Sequence, residues 1–225
     1  MNKHNTALVL IDLQKESNFG LKQMDQVVTN ANRLINGFRE MDIPIIYTRQ
    51  INRADGVGLS LKDPLNDDGT PFYYNSASEN IEILDEIKPK NGDIVIDKYR
   101  WSAFHETSLD LTLKSLNVKN VVIGGVVTDG CLVTSVFDAY FRDYQIHLIK
   151  DICTASNTGS HMASLMMIAN WVYALKIYDT ANILKCMNGE EYEAWEADTV
   201  DPLHYTPENM QEIFNKLNEQ RRYSS

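Results

Sequence analysis

Apolar residues in this chain fall into two kinds of run. Short, near-continuous runs rich in Val, Ile and Leu occupy residues 7–11, 43–48, 93–96, 121–124, 145–149 and 174–178. A strand with one wet face alternates apolar and polar side chains. These runs do not alternate, which is the pattern of strands buried on both faces of a parallel sheet. Between them, apolar positions recur in steps of three and four. One set is Val27, Ala31, Leu34, Ile35 and Phe38; a second is Leu109, Leu113 and Leu116; a third, within 131–144, is Val133, Val136, Phe137, Tyr140 and Phe141; a fourth covers 159–172. Such steps line up one face of a helix. Strands alternating with helices predict an α/β fold: a three-layer αβα sandwich around a Rossmann-like, mostly parallel, six-stranded sheet. Right-handed crossovers would place helices on both faces.

Two regions interrupt the alternation. Residues 52–78 carry Gly56, Gly58, Pro64, Gly69 and Pro71 around Asn66-Asp67-Asp68. The segment is too long for a routine connector, so a functional loop or lid is expected. From about Asn188 the chain grows richer in Glu, and Thr206-Pro207-Glu208 reads as an N-cap with Pro at the first helical position, opening a helix through Met210, Ile213, Phe214 and Leu217. The expected organisation is a domain over 1–187 with a helical extension of the same domain over 188–225.

Composition narrows the partners. The 225 residues carry a formal net charge of -10 with 44% hydrophobic residues. That suffices for a sizeable core, and an acidic surface disfavours nucleic acid and anionic membranes. The apolar run that ends at Asp12 is too short for a signal peptide, and none approaches a bilayer span, so a cytoplasmic protein is expected. The three cysteines, Cys131, Cys153 and Cys186, show no pairing or zinc-site spacing. No cofactor is expected.

Chemistry concentrates at strand ends. In Ile123-Gly124-Gly125-Val126-Val127-Thr128-Asp129-Gly130-Cys131 a buried strand meets a glycine-rich turn, with a helix starting at or just after the cysteine. Ligands of open α/β sheets sit at the carboxyl ends of strands, and a helix N-terminus favours thiolate. Cys131 is thus a candidate nucleophile, although small residues in such turns also serve packing alone. Asp12 ends the first run, where a capping role is the alternative, and Lys98 leaves the third, where a solvated lysine is. Together the three deliver a thiol, a carboxylate and an ammonium to one sheet edge, the set nucleophilic catalysis needs.

The sequence resembles the isochorismatase-like cysteine hydrolases, which include nicotinamidases, N-carbamoylsarcosine amidases and ureidoacrylate amidases. The resemblance spans about residues 5–180. It rests on Leu10-Ile11-Asp12-Leu13-Gln14, on Asp97-Lys98-Tyr99-Arg100-Trp101-Ser102-Ala103-Phe104 and on Gly125-Val126-Val127-Thr128-Asp129-Gly130-Cys131, in that order. It implies catalytic roles for Asp12, Lys98 and Cys131, and a cis peptide at Val126–Val127 that aims the Val127 N–H, with that of Cys131, at a developing oxyanion. It also implies a homodimer or homotetramer; Met162, Met166, Met167, Trp171, Val172 and Tyr173 are interface or core. The activity implied is cleavage of a C–N bond in a small amide, ureido or carbamoyl compound through a thioester.

The sequence departs from nicotinamidases in having no His within 49–75, where an Asp-x-His metal pair would fall, so no metal is expected. His105 and His147 fit surface or core roles. The cysteine departs from siderophore-pathway isochorismatases and points toward amide cleavage. Expected substrate contacts are Gln14, Phe19, Trp101 and Phe104, with Arg100 or Arg49 anchoring a carboxylate; each aromatic has a core role as its alternative, and each arginine a surface ion pair. Four other readings remain: hydrolysis of another bond type by the same fold, a catalytically silent scaffold, a flavodoxin-like or nucleotide-binding module, and a thiol-redox enzyme. Phosphate-binding glycine motifs and a resolving Cys near Cys131 are absent from the sequence.

Overall fold

The six apolar runs become strands β1 (Thr6–Ile11), β2 (Ile45–Gln50), β3 (Ile94–Lys98), β4 (Asn120–Gly125), β5 (Gln145–Ile149) and β6 (Lys176–Tyr178). This is the arrangement in the computed structural model, which describes residues 1–16 and 19–224. All six are parallel and lie in the order β3-β2-β1-β4-β5-β6. Helices α1 (Met24–Glu40), α2 (Leu109–Ser115), α3 (Val133–Tyr140), α4 (Thr158–Trp171), α5 (Thr180–Asn188) and α6 (Met210–Asn215) complete the regular elements.

Successive strand residues divide between two cores, as the period of two requires. Ala7, Val9 and Ile11 of β1 pack with Leu109 and Leu113 of α2, Val136 of α3 and Leu165 of α4. Leu8 and Leu10 face the other way, onto Val27, Leu34 and Phe38 of α1 and Ile183 of α5. The molecule is therefore an α/β sandwich with helices on both faces of a mostly parallel sheet.

The sheet has eight strands, two more than the six expected. β7 (Tyr192–Glu196) pairs antiparallel with β6, and β8 (Arg221–Tyr223) antiparallel with β7. The stretch expected to be a helical extension thus widens the sheet, and its helix α6 is confined to six residues starting at Met210 rather than at Pro207. Trp195 of β7 is buried in the larger core beside Ile213 and Leu217. α5 was not expected either. Its ends are marked by Asp179, whose side chain caps the Asn182 N–H, and by Gly189 in the left-handed conformation.

Two local features position the site. Ile11 of β1 is in register with Gly125 of β4. Gly125 has φ +131, and a Cβ there would lie 2.1 Å from the Ile11 carbonyl oxygen, so only glycine lets the two strand ends approach this closely. Asp12 follows in the left-handed region (φ 49), turning its side chain off the strand end. Among the described residues, no helix is long and apolar enough to cross a membrane.

Candidate active site

Three strand ends deliver Asp12, Lys98 and Cys131 to one place. Asp12 and Lys98 are both inaccessible to solvent, and the Lys98 Nζ lies 2.7 Å from Asp12 Oδ2. The ammonium also donates to Gln50 Oε1 at 2.9 Å and to the Arg100 carbonyl at 3.1 Å. β2 makes this possible: Gln50 sits opposite Lys98 in the ladder. Thr48, also on β2, donates to Asp12 Oδ1 at 2.7 Å and accepts from the Asp12 N–H at 3.3 Å. One carboxylate oxygen is thus tied to a hydroxyl, and the other faces the ammonium.

Cys131 lies within hydrogen-bonding reach of both Asp12 and Lys98. It belongs to a widened helical turn, Thr128–Leu132, that precedes α3 rather than to the first turn of α3 itself. Ser135 fixes this turn by donating to the Cys131 carbonyl at 2.6 Å while accepting from the Ala103 N–H at 2.9 Å, linking it to the segment after β3. The Val126–Val127 peptide is cis.

The electrostatics differ from the expected thiolate. Burial pushes the Cys131 thiol up to about 12, with Asp12 adding to the rise and Lys98 opposing it. Desolvation and the neighbouring carboxylate outweigh the pull of Lys98, which favours the neutral thiol over the thiolate. For Lys98, burial pulls the pKa down, but the Asp12 carboxylate, with the Cys131 sulfur beside it, outweighs burial and the ammonium is held above its ordinary value.

The thiol faces a cavity of about 420 Å³ whose wall includes Gln50, Asn52, Tyr74, Val127, Gly130 and Ser156. Its aromatic side is Phe19, Tyr73, Tyr99 and Trp101, with Phe19 and Tyr73 stacked at 4.4 Å between centroids. Asn52, Ser60, Asp63, Pro64, Tyr73 and Tyr74 all come from the long segment after β2. Tyr74 is buried, and burial, then Asp12 and Cys131, raise its phenol well above the usual value.

Of the expected substrate contacts, Phe19 and Trp101 line this cavity. The others lie elsewhere. The Gln14 amide behaves like a piece of backbone: its Nε2 donates to the carbonyls of Gln50 and Ile81, and its Oε1 accepts from the Gln50 N–H. Phe104 is core, 4% exposed, packed on Tyr144 and under the Arg142 guanidinium. Arg100 donates to the carbonyls of Gly58 and Tyr99 beside an adjoining groove that shares Ser60, Asp63, Pro64 and Trp101 with the cavity. Arg49 is held in a two-pronged pair with Asp97, at 2.8 and 3.1 Å, and by Glu82. Neither arginine reaches the cavity wall.

Thr48, Gln50, Tyr74 and Ser135 were not singled out in the sequence. Thr48 and Gln50 carried a signal nonetheless, because a polar side chain at the end of a doubly buried strand must find a buried partner. Tyr74 carried none, lying within a long irregular segment. Among the described residues, no group of three or more His, Cys, Asp or Glu is arranged to hold a metal ion.

Residues 6–177 match the isochorismatase domain family. An uncharacterized isochorismatase family protein, YaaI of Bacillus subtilis (strain 168), is 30% identical over 77% of this chain and 94% of its own length. Ureidoacrylate amidohydrolase RutB of Acinetobacter baylyi is 27% identical over 72% of this chain and 76% of its own. The crystal structure of a cysteine hydrolase from Pseudomonas syringae pv. phaseolicola 1448A shares the fold, with a TM-score of 0.74 at 23% identity over 84% of this chain and 94% of that one. With three strand ends converging on one cavity and the domain match spanning β1 to β6, the chain belongs to the isochorismatase family of hydrolases.

Proposed function

We propose that the protein hydrolyses a C–N bond of a small amide, ureido or carbamoyl compound through a thioester at Cys131. The observation that carries this reading is the placement of one thiol within reach of a buried carboxylate and a buried ammonium on the wall of a cavity. The cysteine hydrolase and the ureidoacrylate amidohydrolase among its relatives support the same class.

The reaction begins with a neutral thiol, so proton removal accompanies attack. Sγ of Cys131 bonds to the substrate carbonyl carbon as its proton passes to Asp12, whose Oδ2 is not occupied by Thr48. Lys98 stabilises negative charge on sulfur during the transfer. The oxyanion is held by the backbone N–H groups of Val127 and Cys131; among the described residues no backbone acceptor is paired with the Val127 N–H. The tetrahedral species collapses with cleavage of the C–N bond, and Asp12 returns the proton to the leaving nitrogen. Water then adds to the thioester carbon, giving one proton to Asp12. Cleavage of the C–S bond frees the acid, and the proton goes back to sulfur.

An ammonia-release screen over amides, ureido acids and carbamoyl amines, run beside Cys131→Ala, tests this. The expected result is turnover of at least one compound by the natural sequence, a loss of roughly a thousandfold or more in the folded variant, and an acyl adduct on Cys131 by mass spectrometry. Near-equal rates in the two proteins overturn the mechanism.

A further inference from the structure

The wall of the cavity is one-sided in charge. Two carboxylates, Asp63 and Asp129, line it, and no arginine or lysine does among the described residues. Neither carboxylate forms an ion pair among the described residues. Asp63 accepts only the Ser60 N–H, through Oδ2 at 2.6 Å. Near Asp129, His161 bonds through Nδ1 to the Thr128 hydroxyl, and burial lowers its pKa, which favours the neutral ring. Of the cations in the surrounding segments, Arg53 pairs with Asp55, Arg49 with Asp97 and Glu82, and Lys98 with Asp12, while Lys62 and Arg100 line an adjoining groove that shares Asp63 and Trp101 with the cavity but do not reach the cavity wall itself.

The same wall carries five aromatic rings, Phe19, Tyr73, Tyr74, Tyr99 and Trp101. Tyr99 and Trp101 are 49% and 66% exposed, unusual for rings of this size unless something covers them. Aromatic faces pack against apolar groups and attract cations through the ring quadrupole, and they repel a carboxylate set over the face. Two uncompensated carboxylates add attraction for a positive group and repulsion for a negative one.

We infer that this cavity selects amides bearing an ammonium or other cationic group on an apolar or aromatic frame, and rejects anionic ones such as ureido acids. The inference rests on the hydrolase reading for the word amide, but the charge preference belongs to the cavity itself and is measurable without turnover. The cation lies against Trp101 and Tyr99 with Asp63 and Asp129 as counter-charges, while the scissile carbonyl reaches Cys131.

Three probes of equal frame and different charge test it: benzyltrimethylammonium, benzyl alcohol and benzoate, titrated into the full-length protein by calorimetry at low salt. The cation is expected to bind about 10-fold or more tightly than the alcohol, and benzoate more weakly than either. Asp63→Asn with Asp129→Asn should lower affinity for the cation by about 3- to 10-fold, leave the alcohol unchanged, and remove most of the salt dependence. Trp101→Ala should weaken the cation and the alcohol together. Benzoate binding as tightly as the cation, or no measurable binding of the cation, overturns the inference. A turnover arm separates it from the hydrolase reading. Cys131-dependent hydrolysis that favours anionic over cationic aromatic amides refutes the charge preference and leaves the hydrolase standing. Cation binding without Cys131-dependent hydrolysis of any amide does the reverse.

Discussion

Replacing Lys98 by Met tests the electrostatic core of the site without asking what the substrate is. Methionine keeps the length of the side chain in a position with no solvent exposure and removes the charge, the ion pair with Asp12 and two hydrogen bonds, to Gln50 and the Arg100 carbonyl. Asp12 then remains buried with only the Thr48 hydroxyl and no cation. Breaking one half of a buried pair costs about 3–5 kcal/mol, because the surviving charge has lost its compensation. For a chain of this size each kcal/mol moves Tm by about 2–4 °C, so a fall of roughly 6–20 °C is expected. The double variant Lys98→Met with Asp12→Asn removes both charges. Asparagine is the partner substitution because position 12 has φ 49, a region that Asn tolerates and branched residues do not. The double variant should be more stable than Lys98→Met alone by about 2 kcal/mol or more, although neither turns over substrate. Urea denaturation of the four proteins gives the cycle. A Lys98→Met loss below about 1 kcal/mol, or additive losses in the double variant, would show that water or another cation reaches Asp12 and that the pair is not the buried unit described.

Two further outcomes follow from groups outside the reacting atoms. Thr48→Val deletes the hydroxyl that holds Asp12 Oδ1 and keeps the side-chain shape; a hydrogen bond to a charged group contributes about 1.5–3 kcal/mol, so kcat should fall by about 10-fold or more with KM little changed, and Thr48→Ser should restore most of it. An equal loss in kcat and gain in KM would argue that Thr48 shapes the cavity instead of orienting the base. His147 is buried on β5, and burial, with Lys176 and the chain N-terminus nearby, lowers its pKa to about 3. Its folded pKa lies below the unfolded value near 6.5, so the unfolded chain binds the proton first. The stability of the neutral form is complete above about pH 6.5 and declines as pH falls toward 3. His147→Gln should therefore lose roughly 3 kcal/mol less than the natural sequence between about pH 7 and pH 4 in urea titrations, and parallel stability curves would refute that.

The parallel half of the molecule was legible because doubly buried strands must be apolar throughout, as β1, β4 and β5 nearly are; β3, expected to be buried on both faces, is the edge strand and leaves Val95 and Asp97 exposed. β7 was not: Tyr192-Glu193-Ala194-Trp195-Glu196 buries Ala194 and Trp195 but leaves its other residues partly accessible, and β8 is three residues beginning Arg221-Arg222. Strands added antiparallel at the margin of the sheet keep a wet side, and the last of them, β8, has a single partner, so their sequences carry charge. At the site, Asp12, Lys98 and Cys131 stood out because strand ends in such sheets converge. Substrate contacts were harder, since adjacent residues leave a strand end in opposite directions. Trp101 turns into the cavity while Phe104, three residues on, enters the core and Arg100 faces another groove. Distance along the chain carries no information on that choice. Asp63 and Tyr74 come from an irregular segment with no periodicity from which a direction could be read.

The close approach of Gly125 to Ile11 has a consequence for how such a protein tolerates change. The spacing between base and nucleophile is set by main chain meeting main chain, with no side chain interposed. Substitutions that repack the helices on either side can loosen or tighten the molecule while the reacting groups keep their separation. Sequence drift in the two cores is therefore expected to be broad, and the one position where a single added carbon would pry the base from the nucleophile is a residue with no side chain at all.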